Sequence, residues 1–261
     1  MTSEQFKDQL EKLREVITRG LAHYTVWKKL RLRDPDSVEW SLEEQNQVLG
    51  RFRGFFTPVA IALLDMAFIE FAKVFDADTR TASLRNLLTA ARGDPILVPH
   101  ASAEDLNKIS SDFEQYKGLV TSLMRKRSQQ LVHIDAEPDP VDPIMTADFD
   151  KLAEWVMSAF NTLSTGHDKN FFSLKYLLKA SEEQTEAVMA ALLEDIARRK
   201  QEHQDEIVQI GVDQLRRAEA DIGQTLNKET IGHVIGTLGL TEDQMQRAAE
   251  RYSSGSNGRE T

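Results

Sequence analysis

Residues 102–135 read SAEDLNKISSDFEQYKGLVTSLMRKRSQQLVHID, and the rest of the chain is best read outward from them. Ser102 followed by Asp105 is a helix-starting cap. Leu106, Ile109, Phe113, Tyr116, Leu119, Val120, Leu123 and Met124 then recur at three- and four-residue steps, so they share one face of a long amphipathic helix. That helix delivers Leu123-Met-Arg-Lys-Arg-Ser-Gln-Gln-Leu-Val-His-Ile-Asp135, where basic residues, a histidine and a carboxylate crowd together. On a continuous α-helix Arg127 and His133 stand roughly 120° apart around the axis and about 9 Å apart along it. They do not stack as an i,i+4 pair would, but both can still line one broad groove, especially if the helix ends or distorts between them. A permanently charged guanidinium and an imidazole titrating near neutrality suit phosphodiester chemistry: one holds phosphate charge while the other moves a proton. The same residues also suit an arginine on a solvated face and a histidine capping a helix C-terminus.

Apolar residues recur with the same helical period upstream. Phe6, Leu10, Leu13, Val16, Ile17, Leu21, Tyr24 and Trp27 predict a helix over about residues 3–32, closed by Pro35, with His23 beside the stripe as a packing residue. Ser41 with Glu44 caps a second helix that runs to Phe75 and is the most apolar in the chain. Pro58 should kink it or mark a join between two helices, and Phe52, Phe55, Phe56 and Phe68 are expected in the core. A short helix holds Leu84, Leu87 and Leu88 before Gly93, Pro95 and Pro99 break the chain.

Downstream of the motif, Pro138, Pro140 and Pro143 impose an extended loop. A helix from about Thr146 follows through Trp155 and Leu163. Ser181 with Gln184 reads as the cap of another, whose apolar seam of Val188, Leu192, Ile196, His203, Ile207 and Ile210 is thin. Thr241 with Gln244 starts a last short helix. No strand-period segment interrupts the pattern. The expected fold is therefore all-α: an up-and-down helical bundle over residues 1–165, a helical C-terminal extension over 166–252 and a disordered tail over 253–261.

Composition narrows the function. The chain has 261 residues, no cysteine and a formal charge of −10. Disulfides, thiolate metal sites and cysteine nucleophiles are excluded. The acidic balance argues against coating nucleic acid non-specifically but leaves room for a local basic groove. The N-terminus lacks a signal pattern, and the longest apolar run, Pro58 to Leu64, is too short to span a bilayer, so a cytoplasmic protein with no membrane partner is expected. No phosphate-cradling glycine loop, His-Glu-x-x-His pair or nucleophile elbow occurs. His133 and Asp135 could supply two metal ligands, but no third is identifiable, so neither a metal nor a cofactor is assigned.

Arg127-Ser-Gln-Gln-Leu-Val-His133 fits the signature of the HEPN superfamily, an arginine followed by four to six residues and a histidine. With Leu63-Leu-Asp-Met-Ala-Phe-Ile-Glu-Phe-Ala-Lys-Val-Phe-Asp76 and Ser83-Leu-Arg-Asn-Leu-Leu88, the chain resembles the abortive-infection, AbiU-type branch over roughly residues 40 to 165. That resemblance implies a HEPN-like bundle acting as a metal-independent endoribonuclease, a toxin or effector in bacterial phage defence. It also implies a homodimer with both motifs facing one cleft, sometimes with an antitoxin or defence-system partner. His133 would move the proton of the ribose 2′-hydroxyl or the leaving oxygen, and Arg127 would hold the scissile phosphate, giving 2′,3′-cyclic phosphate and 5′-hydroxyl ends. Arg125, Lys126 and Ser128 are the accompanying RNA-binding candidates; the position of Ser128 is commonly asparagine or another strongly polar residue in the family. The alternative is a non-catalytic, dimeric HEPN-like module that binds RNA or protein.

Overall fold

The structure is a computed structural model describing residues 1–31, 41–132, 142–224 and 226–256. Every regular element among them is helical. The fold is all-α, as the apolar periodicity requires.

Four long helices make the principal layer: α1 (Ser3–Leu30), α3 (Arg53–Val74), α5 (Ala103–Lys126) and α6 (Thr146–Asp168), with α2 (Leu42–Arg51) and α4 (Leu84–Gly93) between them. Their directions follow from side-chain pairs. At one end of α1, Tyr24 meets Phe149 near the start of α6; at the other, Phe6 meets His167 at its end, so the two are antiparallel. Phe68 and Phe71 of α3 also meet Phe149, while Phe75 stacks on Trp155 further along α6. Hence α3 runs with α6 and against α1. Phe113 of α5 lies against Trp155, and Lys126 reaches Phe68, so α5 runs against both. In chain order α1, α3, α5 and α6 alternate, which is an up-and-down bundle. Its core holds Phe6, Leu13, Ile17, Phe71, Leu87, Leu123, Phe149, Leu152, Phe160 and Leu163, all fully buried.

Close approach of α1 and α3 depends on Gly20, where a Cβ would stand 2.8 Å from the Phe71 ring. Beside it the buried Glu70 carboxylate accepts from Lys73 at 2.7 Å and Arg19 at 3.4 Å, the compensation a buried charge needs.

The expected capping boxes at Ser41 and Ser102 form. The join in the second apolar segment falls at Phe52, six residues before Pro58, which sits inside α3. Among the described residues α3 alone is long and apolar enough to cross a membrane by length and composition, with mean hydropathy 1.8. The earlier apolar run understated it because Asp65 and Glu70 interrupt the sequence without interrupting the helix. Its second half supplies bundle core from Ala67 to Val74, whereas Phe55 is 63% and Ile61 57% exposed. Phe55 is therefore not a core residue.

The chain forms two compact units, Met1–Val188 and Met189–Thr261, divided within α7 (Lys175–Ile222). Ser181 caps nothing: α7 is already helical there, and its hydroxyl donates to the Leu177 carbonyl. In the second unit Val208, Val212 and Leu215 of α7 pack with Ile231 and Ile235 of α8 (Lys228–Gly236) and Ala248 and Tyr252 of α9 (Glu242–Ser256). The packed face is thus displaced from the predicted seam, which included the exposed Val188 and Ile210.

Candidate functional site

At the end of α5 the backbone changes its winding. Residues Arg127–Val132 are π-helical, with i→i+5 in place of i→i+4 closure, and this segment packs against α3. Single π turns inside helices accompany functional sites more often than chance. The change of winding begins at Arg127 itself. His133 itself, with Ile134 and Asp135, lies outside the described residues.

Arg127 is held from one side. Its Nη1 donates to Asp76 Oδ2 at 3.2 Å, and the two side chains are 28% and 23% exposed. Asp76 is fixed in turn, because its Oδ1 accepts the Asp78 backbone N–H at 3.0 Å. A guanidinium has five donors in a rigid fork, and Asp76 engages one of its nitrogens, so among the described residues the remaining donors are left for a second anion. Partial burial weakens solvent screening of whatever that anion is.

The neighbouring candidates diverge, as successive helical residues must. Lys126 turns towards α3, its Nζ 4.8 Å from the Phe68 ring centroid, a cation–π contact. Arg125 is exposed, with no ion pair among the described residues. Ser128 is exposed too; its hydroxyl is shared between the carbonyls of Met124 at 3.0 Å and Arg125 at 3.2 Å. That satisfies carbonyls whose usual partners shift when the winding changes, and it leaves the Ser128 oxygen able to accept. Lys126 thus turns to Phe68 and Arg127 to Asp76, while Arg125 is exposed to solvent.

Asp76 went unnamed among the candidate residues because nothing local signals it: it stands 51 positions before Arg127 and enters only through the α3–α5 contact. Among the described residues no three His, Asp or Glu side chains gather as metal ligands.

No curated protein and no solved structure matches the chain. Residues 3–188 match the HEPN family described as AbiU2, and the match ends where the first compact unit ends. With the arginine at the head of a π-helical turn on an up-and-down bundle, this match over most of the chain places the protein in the AbiU2 family of HEPN domains.

Proposed function

We propose that the protein is a metal-independent endoribonuclease of the HEPN type, working as a cytoplasmic homodimer in bacterial phage defence as a toxin or effector. The observation that carries this reading is Arg127, oriented by Asp76 at the start of the π-helical segment Arg127–Val132.

RNA supplies its own nucleophile, the 2′-hydroxyl. The protein therefore has two tasks, to move a proton and to stabilise charge on the phosphate. Arg127 binds a non-bridging phosphate oxygen through the donors Asp76 leaves open, and it holds the extra charge as the 2′-oxygen attacks. His133 takes the 2′-hydroxyl proton or delivers one to the departing 5′-oxygen. The products are a 2′,3′-cyclic phosphate and a 5′-hydroxyl. Lys126 and Ser128 contact the adjoining backbone, and Arg125 adds a more distant cation.

The exposed part of α3 supports the homodimer in this reading. The first half of α3 exposes Phe55 and Ile61, and the π segment packs on the same helix, so pairing through α3 would bring two motifs towards one interface. Any antitoxin would act by covering that cleft.

The test is cleavage of total RNA in excess chelator, with the new ends mapped chemically. Wild type produces cyclic-phosphate ends, and Arg127→Ala and His133→Ala each lower the rate by about a hundredfold or more while the helical circular dichroism is retained. Intact RNA with wild type, or cutting that survives both substitutions, removes the nuclease assignment in favour of a non-catalytic binding module.

A further inference from the structure

A groove of about 490 Å³ lies between α4 and α5. One face of α4 contributes Arg85, Leu88 and Arg92; one face of α5 contributes Ser110, Phe113 and Lys117. Phe75 and Trp155 close the floor, stacked with their rings 12° from parallel and centroids 6.2 Å apart.

The rim charges are unbalanced. Glu114 pairs with Lys117 at 3.3 Å, which accounts for one cation. Arg92 donates to Ser110 Oγ at 3.1 Å, across the groove, and has no carboxylate partner among the described residues. Arg85 has none either. On a protein with a formal charge of −10, two guanidiniums without counter-charges over an aromatic floor are an unusual local concentration. The groove's lining comes close to the Arg127 site along the chain. Phe75 of its floor precedes Asp76, the residue that holds Arg127. Along α5, Thr121 at the groove's end stands six residues before Arg127, about 9 Å by helical rise.

We propose that this groove binds one nucleotide of a single-stranded RNA whose scissile phosphate lies at Arg127, which rests on the ribonuclease reading above. The base lies against Phe113 and Trp155, and the phosphate is held by Arg85 and Arg92. Aromatic side chains accept any base through its π face, and the arginine fork matches phosphate oxygens. The volume suits a ligand of nucleotide size. The groove thereby makes unpaired RNA the substrate class, because a base inside a duplex cannot enter it.

The experiment uses the full chain carrying His133→Ala, which prevents cutting. Adenosine and uridine 5′-monophosphates are titrated against tryptophan fluorescence, and a fluorescein-labelled RNA hexamer against anisotropy. An acidic peptide of equal charge is the comparison. The expected result is saturable quenching that vanishes with Trp155→Phe, and binding weakened about tenfold or more by Arg85→Glu with Arg92→Glu. Thr89→Trp, which fills the groove without changing its charge, weakens hexamer binding likewise in the anisotropy titration. Absence of nucleotide binding, equal binding by the charge-reversed protein, or preference for the peptide overturns the proposal. Binding by wild type together with failure to cut RNA would discard the nuclease and keep the groove. Cutting and binding unchanged by the groove variants would do the reverse.

Discussion

At the scale of single residues, the chain controls a few polar groups inside a bundle built from hydrocarbon. Asp76 fixes one side of Arg127 and leaves the other available. Tyr24 is a second buried polar group, whose hydroxyl donates to the Thr146 carbonyl at 3.3 Å. Burial, and after it the neighbouring Asp150 carboxylate, push the Tyr24 pKa well above its ordinary value of 10. The sign of the pH effect follows by linkage. Below pH 10 the hydroxyl is protonated in both folded and unfolded chains, and stability is insensitive to it. Above pH 10 the unfolded tyrosine releases its proton while the folded one keeps it, so stability falls by up to about 1.4 kcal/mol per pH unit. Urea unfolding at pH 8, 10 and 11 should show wild type losing more stability over this range than Tyr24→Phe. Equal losses in the two proteins would mean the hydroxyl ionises as readily inside as outside. The substitution should itself cost about 1 kcal/mol at pH 8 for the lost hydrogen bond.

At the scale of elements, most helix starts were legible and several junctions were not. Ser41 and Ser102 announce their helices because a cap is local: hydroxyl, backbone N–H and returning carboxylate lie within four residues. Ser181 carries the same signature yet sits inside α7, since local pattern cannot tell that Lys175 had already begun the helix. The Phe52 break and the π turn at Arg127 were hidden for a related reason. Both depend on how neighbouring helices pack, which spacing alone does not record. The end of α6 offers a quantitative check. Lys169 occupies the left-handed region, φ 63°, its N–H donating to the Thr165 carbonyl at 3.0 Å. A lysine there crowds its own Cβ, and glycine does not. Lys169→Gly should raise stability by about 0.5–1 kcal/mol after the added unfolded-chain entropy is deducted, read as a higher urea midpoint at unchanged slope. A lower midpoint would mean the lysine side chain contributes more than its strain costs.

At the scale of the whole molecule, two units with separate cores share α7, and the family match coincides with the first. The candidate arginine lies in that unit, yet one arginine and one histidine per chain make a sparse site. Symmetry is the inexpensive way to concentrate them. The first half of α3 has the surface for it: a folded monomer gains nothing by holding Phe55 and Ile61 in water, and isologous burial removes both pairs at once. Replacing them by Phe55→Glu and Ile61→Glu sets like charges across such an interface and leaves the packed half of α3 untouched. Sedimentation velocity should give wild type twice the 29.6 kDa chain mass and the double variant the single mass, with helicity unchanged and RNA cleavage lost. A wild-type protein that stays at the single mass at every concentration while still cutting RNA would show that one motif suffices. A variant that remains dimeric would place the interface on some surface other than the exposed half of α3.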